Sequence, residues 1–110
     1  MDSFQVNVIG LIHTINAFIG AVRRGTVKKV VAISSGMADT DFVKETGMDI
    51  AGSYAITKAG MNMVVAKYNT MYRQEGILFM AICPGSVDTA SQPGQNPGEF
   101  LWIFATLNKF

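Results

Sequence analysis

The sequence predicts an α/β chain with parallel strands, in the order helix, strand, helix, strand, tail. Two long stretches, 4–23 and 53–75, space their apolar residues as helices do. Two short, uninterrupted apolar runs, 28–34 and 77–83, alternate with them. Continuous apolar strands alternating with long helices are the pattern of βαβ units, whose sheet is covered on both faces.

The first helix is "FQVNVIGLIHTINAFIGAVR" (4–23). Val6, Ile9, Ile12, Ile15, Ile19 and Val22 make one stripe, and Leu11, Ala17, Phe18 and Ala21 make a second. Two apolar stripes imply cover on two sides. Arg23, Arg24 and Gly25 supply a basic last turn and a stop. The strand "KKVVAISS" (28–35) follows, with Val30 to Ile33 as its apolar centre. Residues 36–52 read as a loop with one helical turn at "DFVKET". The second helix, 53–75, starts with Ser53 as N-cap and stops at Gly76. "ILFMAIC" (77–83) is the second strand, ended by Pro84-Gly85. "SVDTASQPGQNPGEF" is loop chemistry, and "FLWIFATL" (100–107) is an apolar tail.

At 110 residues the chain is a single domain with room for a real core. Apolar residues make up 49% and charged residues 15%, so either the core is large or some apolar surface serves a partner. The net charge of +1 gives no electrostatic case for nucleic acid or an anionic membrane. The lone Cys83 excludes an internal disulfide and fits a reducing, cytoplasmic setting. Asp2 sits where a signal peptide has its basic region, and the apolar run 6–22 is shorter than the ~20 residues of a membrane span. No span is expected.

The chemistry gathers at "GSYAITKAG" (52–60). Tyr54 and Lys58 stand four residues apart, on one helix face. A free phenol ionises near pH 10, too high for proton transfer at neutral pH. Lowering that by about three pH units takes about 4 kcal/mol, which one ammonium about 4 Å away supplies at an effective dielectric of about 20. Tyr and Lys at this spacing also occur in helices without any such purpose. Here two strand ends join them. Ser34 and Ser35 close the first strand and "CPGSVDT" follows the second. The C-terminal edge of a parallel sheet is where α/β proteins place ligands.

In this order the motifs resemble the C-terminal, catalytic half of a short-chain dehydrogenase/reductase. "VNVIG" matches the family's asparagine helix at Asn7. "ISS" matches its serine strand at Ser35, with Ser34 the second choice. Tyr54-Ala-Ile-Thr-Lys58 matches YxxxK and is followed by the typical "AGMN". Pro84-Gly85-Ser86-Val87-Asp88-Thr89 matches "PGxVxT". The resemblance covers residues 6–89 and implies a partial doubly wound, Rossmann-like sheet. It implies NAD or NADP as cofactor and a carbonyl/alcohol pair as substrate. By the same resemblance Tyr54 exchanges the proton. Lys58 lowers the phenol's pKa and binds the nicotinamide ribose. Ser35 orients the substrate oxygen, and Asn7 holds a water that links Lys58 to solvent. Pro84, Gly85, Val87 and Thr89 lie along the nicotinamide. Residues 90–110 fall in the region of the substrate loop.

The family's glycine-rich "TGxxxGxG" turn, the charged residue after its second strand and its "NAG" are not in these 110 residues. Nothing here seats a pyrophosphate, so weak or absent cofactor binding is expected of this chain alone. Two alternatives follow: a redox-inactive relative doing proton transfer of the isomerase type, or a docking partner of full-length relatives. The family's helices also imply a homodimer, or a complex with relatives, through 4–23 and 53–75. No metal site is expected. His13, the seven methionines and Trp102 read as packing residues.

Overall fold

The computed structural model describes residues 2–85. The expected contacts of Val87 and Thr89 and the tail at 90–110 lie outside the described residues. A π-helical turn, Gln5–Ile9, runs directly into α1, Gly10–Arg24. Strand β1, Lys29–Ile33, is followed by a 3-10 turn, Gly36–Ala38, and by α2, Thr40–Thr46. Then come α3, Gly52–Met71, a 3-10 turn, Arg73–Glu75, and β2, Leu78–Ile82. The strands pair in parallel, Lys29 opposite Leu78 through Ile33 opposite Ile82. This is the partial α/β, Rossmann-like arrangement expected, with each element shifted by a few residues at most.

The shifts have local causes. The first helix opens as a π turn because the Gly10 N–H closes back on the Gln5 carbonyl. A Cβ at residue 10 would meet that oxygen at 3.3 Å. The single turn expected at "DFVKET" is a two-turn helix, since the Asp39 carboxylate accepts from both the Asp41 and Phe42 N–H. Ser53 is not the N-cap of α3. The helix starts one residue earlier, from Ala51 in the left-handed region (φ 54°), and no side chain caps it. Its far end tightens at Met71 into the 3-10 turn, and Gly76 (φ 71°) takes the left-handed stop position.

Both long helices supply the core on one face of the sheet. Ile15 and Ile19 of α1 and Met61 and Val65 of α3 close over Ala32, Phe79 and Ala81, with Ile77 beneath. Phe79 stacks against Tyr72 and lies tilted against Tyr68, and its N–H donates to the Asn69 side-chain oxygen. Tyr68 donates to Asn16 at 2.6 Å, tying α3 to α1. Arg23 reaches Glu75 through two 3.1 Å contacts and lies over the Tyr72 ring. At this exposure such a pair contributes little.

Two expectations of cover are corrected. Neither β1 nor α1 is buried on two sides. Along β1 burial alternates, with Ala32 inside and Val31 and Ile33 exposed by 47% and 57%. Among the described residues no element lies over that second face. Phe18, from the second stripe of α1, is exposed as well. The π turn and α1 also form a continuous 20-residue helix, Gln5–Arg24, long and apolar enough by length and composition to cross a membrane. In this fold it buries Val8, Ile15 and Ile19 in the protein.

Phe79 and Phe18 separate the two kinds of apolar surface. Phe79→Ala should cost about 3–5 kcal/mol of unfolding free energy in a urea titration, as a large core deletion does. Phe18→Ala should stay within about 0.5 kcal/mol. Equal effects would contradict the one-sided core.

Candidate active site

Four elements bring their polar groups to the C-terminal edge of the sheet. The first half of α3 carries Tyr54 and Lys58 on one side, and Lys58 is driven against the end of β1. Its side chain is only 9% exposed, and its Nζ donates to the Ile33 carbonyl at 2.9 Å. That carbonyl belongs to the residue just before Ser34, so the ammonium lies at the strand end that bears the serines. Burial removes water from the ammonium and holds its pKa below the ordinary lysine value of 10.5.

Tyr54 is 38% exposed, and the Lys58 ammonium sits 5.6 Å from the centre of its ring. That is cation–π range. The hydrogen bond that fixes Lys58 goes to the strand carbonyl, which leaves the other ammonium hydrogens free to meet a ligand.

The two serines are used differently. Ser34 is buried and donates to the Asn62 side-chain oxygen at 2.6 Å. Ser35 is half-buried, and its Oγ accepts from the Met37 N–H at 3.2 Å. Its own proton is thus free to be donated. Both line a cavity of about 140 Å³ together with Asp39, Asn62 and Cys83. Tyr54 and Lys58 are not in its lining. Ligand pockets normally span ~300–1,000 Å³, so this cavity fits a small polar group and not a whole cofactor.

Asn7 comes from the π turn and reaches the same helix one step removed. Its Nδ2 donates to Thr57 Oγ1 at 3.0 Å, and the Thr57 hydroxyl donates to the Tyr54 carbonyl at 2.8 Å. Pro84 and Gly85 leave β2 at this edge, Gly85 with φ 75°. Cys83 beside them accepts from the Gly36 N–H at 3.1 Å.

Sequence reasoning missed Thr57, Asn62 and the Ile33 carbonyl. Asn62 carried a signal, since it lies four residues past Lys58 on the same helix face. The Ile33 carbonyl carried none, because backbone oxygens have no residue code. Gly60 of α3 faces the π turn. A Cβ there would lie 3.1 Å from Val8, so its smallness admits the π turn. Among the described residues no group of His, Cys, Asp and Glu could hold a metal.

Lys58 should titrate below 10.5 when followed by the NMR shifts of its side-chain nitrogen and ε-carbon. Between its folded value and 10.5 the unfolded chain holds more protons, so folding stability rises with pH across that window. Below the folded value the burial cost is present in full. Lys58→Met should remove this part of the rise. A Lys58 resonance titrating at or above 10.5 would contradict its desolvation.

The family profile for short chain dehydrogenases matches residues 1–99. Among curated proteins the chain is 38% identical to the short chain dehydrogenase virK of Hypocrea virens over 98% of its length. It is 47% identical to the short-chain dehydrogenase/reductase AacuF of Aspergillus aculeatus over 90%. To the short-chain dehydrogenase/reductase iacC of Pestalotiopsis fici it is 37% identical over 96%. The chain spans only about two fifths of these relatives, 40%, 39% and 39% of their lengths. No solved structure gives a significant match. The match covers all four elements that meet at the sheet edge, and the chain belongs to the short-chain dehydrogenase/reductase family.

Proposed function

We propose that this chain carries the proton-transfer half of an NAD(P)-dependent oxidoreductase acting on a carbonyl/alcohol pair. One observation carries the reading: a desolvated ammonium, Lys58, is pinned between the Ile33 carbonyl and the Tyr54 ring. Tyr54, half-exposed beside that cation, is the group that exchanges a proton with the substrate oxygen. Ser35, whose hydroxyl proton is free, donates to that same oxygen and orients it. Ser34 is the weaker choice because its proton is already committed to Asn62. Asn7 acts through Thr57, which steadies the turn of α3 that presents Tyr54.

The residues present fit the nicotinamide end of the cofactor. Lys58 has donors left for a ribose hydroxyl, and Pro84, Gly85, Val87 and Thr89 follow the strand that ends beside it. When bound, the nicotinamide supplies or accepts the hydride. The reading places the protein in the cytoplasm, in keeping with its lone cysteine.

A second reading, docking on full-length relatives or on a second copy, is favoured by the exposed Phe18, Ile56 and Met63 on the outer sides of α1 and α3. Exposed apolar side chains of this size are the kind that an interface covers. Light scattering should then find a dimer or a mixed complex and not a stable monomer.

Two measurements test the catalytic reading. Tyr54→Phe should lower carbonyl reduction by about 10²–10⁴-fold with little loss of stability. Undiminished turnover would refute it. Calorimetric titration of this chain with NADPH and NADH should give millimolar dissociation constants. Three charge-assisted hydrogen bonds to a pyrophosphate are worth roughly 4.5–9 kcal/mol together, or about three to six powers of ten in affinity. A micromolar constant would show that these residues hold the cofactor without a glycine-rich turn.

A further inference from the structure

The loop between α1 and β1 carries two features that the fold does not use. The first is a run of cations, Arg23, Arg24, Lys28 and Lys29, of which only Arg23 has an ion-pair partner among the described residues, Glu75. The second is Val27, an apolar side chain left 73% exposed. Between them Thr26 is exposed as well. Thr14, Thr46, Thr57 and Thr70 each donate a hydroxyl to a backbone carbonyl, whereas the Thr26 hydroxyl donates to nothing among the described residues. From these features we propose that Thr26 is a phosphorylation site, for a kinase that selects its acceptor by two arginines before it and an apolar residue after it. The inference is independent of the catalytic reading.

The chemistry fits at each position of "RRGTV" (23–27). A kinase cleft that reads basic segments does so with carboxylates, and a guanidinium meets a carboxylate through paired, charge-assisted hydrogen bonds. Arg24 has no such partner here and is exposed. Arg23 exchanges Glu75 for the kinase's acid, and their pair is exposed enough to be given up at little cost. Val27 supplies the apolar contact just past the acceptor. An extended backbone is what a kinase cleft holds. Gly25 is already extended (φ −77°, ψ 166°), and no backbone hydrogen bond ties down Thr26 or Val27. The last turn of α1 must straighten, and helix ends open readily. In the transfer the Thr26 Oγ attacks the γ-phosphorus of Mg-ATP and the bond from that phosphorus to the bridging β-oxygen breaks. ADP leaves, and the hydroxyl proton passes to the kinase's carboxylate base. The new phosphate stands two or three residues from each of the four cations, which supply charge-assisted donors for it. It takes the net charge of the chain from +1 to about −1.

The test is to incubate the full chain with Mg-ATP and the catalytic subunit of the cyclic-AMP-dependent protein kinase. Mass spectrometry should find one added phosphate, and fragmentation should place it on Thr26. Arg24→Ala leaves the Arg23–Glu75 pair in place, and should lower the kinase's kcat/KM for the chain by about tenfold or more, the loss of one charge-assisted hydrogen bond. Val27→Asp should lower it as well. Lys67→Ala, which removes an exposed cation of α3, should leave it unchanged. Thr26→Val should abolish incorporation, with circular dichroism confirming the fold. Fragmentation of the unmodified chain decides the case without any variant if one fails to fold. A folded chain with no phosphate on Thr26 would overturn the inference. So would full incorporation into Thr26→Val, or a rate at Thr26 indifferent to Arg24→Ala.

Discussion

The hydrogen bond from Lys58 Nζ to the Ile33 carbonyl is the constraint on which the site depends. It joins the first half of α3 to the last residue of β1. A buried ammonium that lost this acceptor would pay its desolvation without return, so the contact holds the helix at one height along the strand. Tyr54, one turn earlier, and Asn62, one turn later, inherit their positions from it. Ser34 is then close enough to donate to Asn62 at 2.6 Å, and Ser35 is the next residue of the chain. A single side chain thus fixes how the helix packs against the strand end.

The π turn, β2 and the 3-10 turn after β1 support that arrangement without entering it. Val8 packs on the bare backbone of Gly60, which brings Asn7 to Thr57. Cys83 receives the Gly36 N–H and so links the end of β2 to the turn behind the serines. None of these is a strong interaction by itself, as neutral hydrogen bonds contribute about 1 kcal/mol net. Together they fix the edge of a sheet that is two strands wide among the described residues.

The element order and the parallel pairing were legible because each rests on spacing. Apolar period and residue separation are written in the chain. Three things were not legible. Burial on two faces was inferred from uninterrupted apolar runs, but such a run records that a cover is needed and not which residues provide it. The Ser53 cap failed because a residue type suited to capping does not fix which backbone turns first, and Ala51 turned instead. The division of labour between Ser34 and Ser35 required knowing what lies opposite each hydroxyl, and adjacent identical residues give pattern reasoning no handle.

The π turn at Gln5–Ile9 has a consequence for how this segment tolerates changes in length. A π turn holds one more residue than the α-helical turn it replaces. Removing a single residue from 5–9 would let the helix close regularly. Everything on the N-terminal side would then rotate about its axis by about 100°, the angle that one residue subtends. The helix would remain intact and keep its apolar character, yet Asn7 would swing away from Thr57. Substitutions at these positions are judged by chemistry, but insertions and deletions are judged by phase. A helix that looks uniform in hydropathy therefore contains one stretch whose length sets the phase of what precedes it.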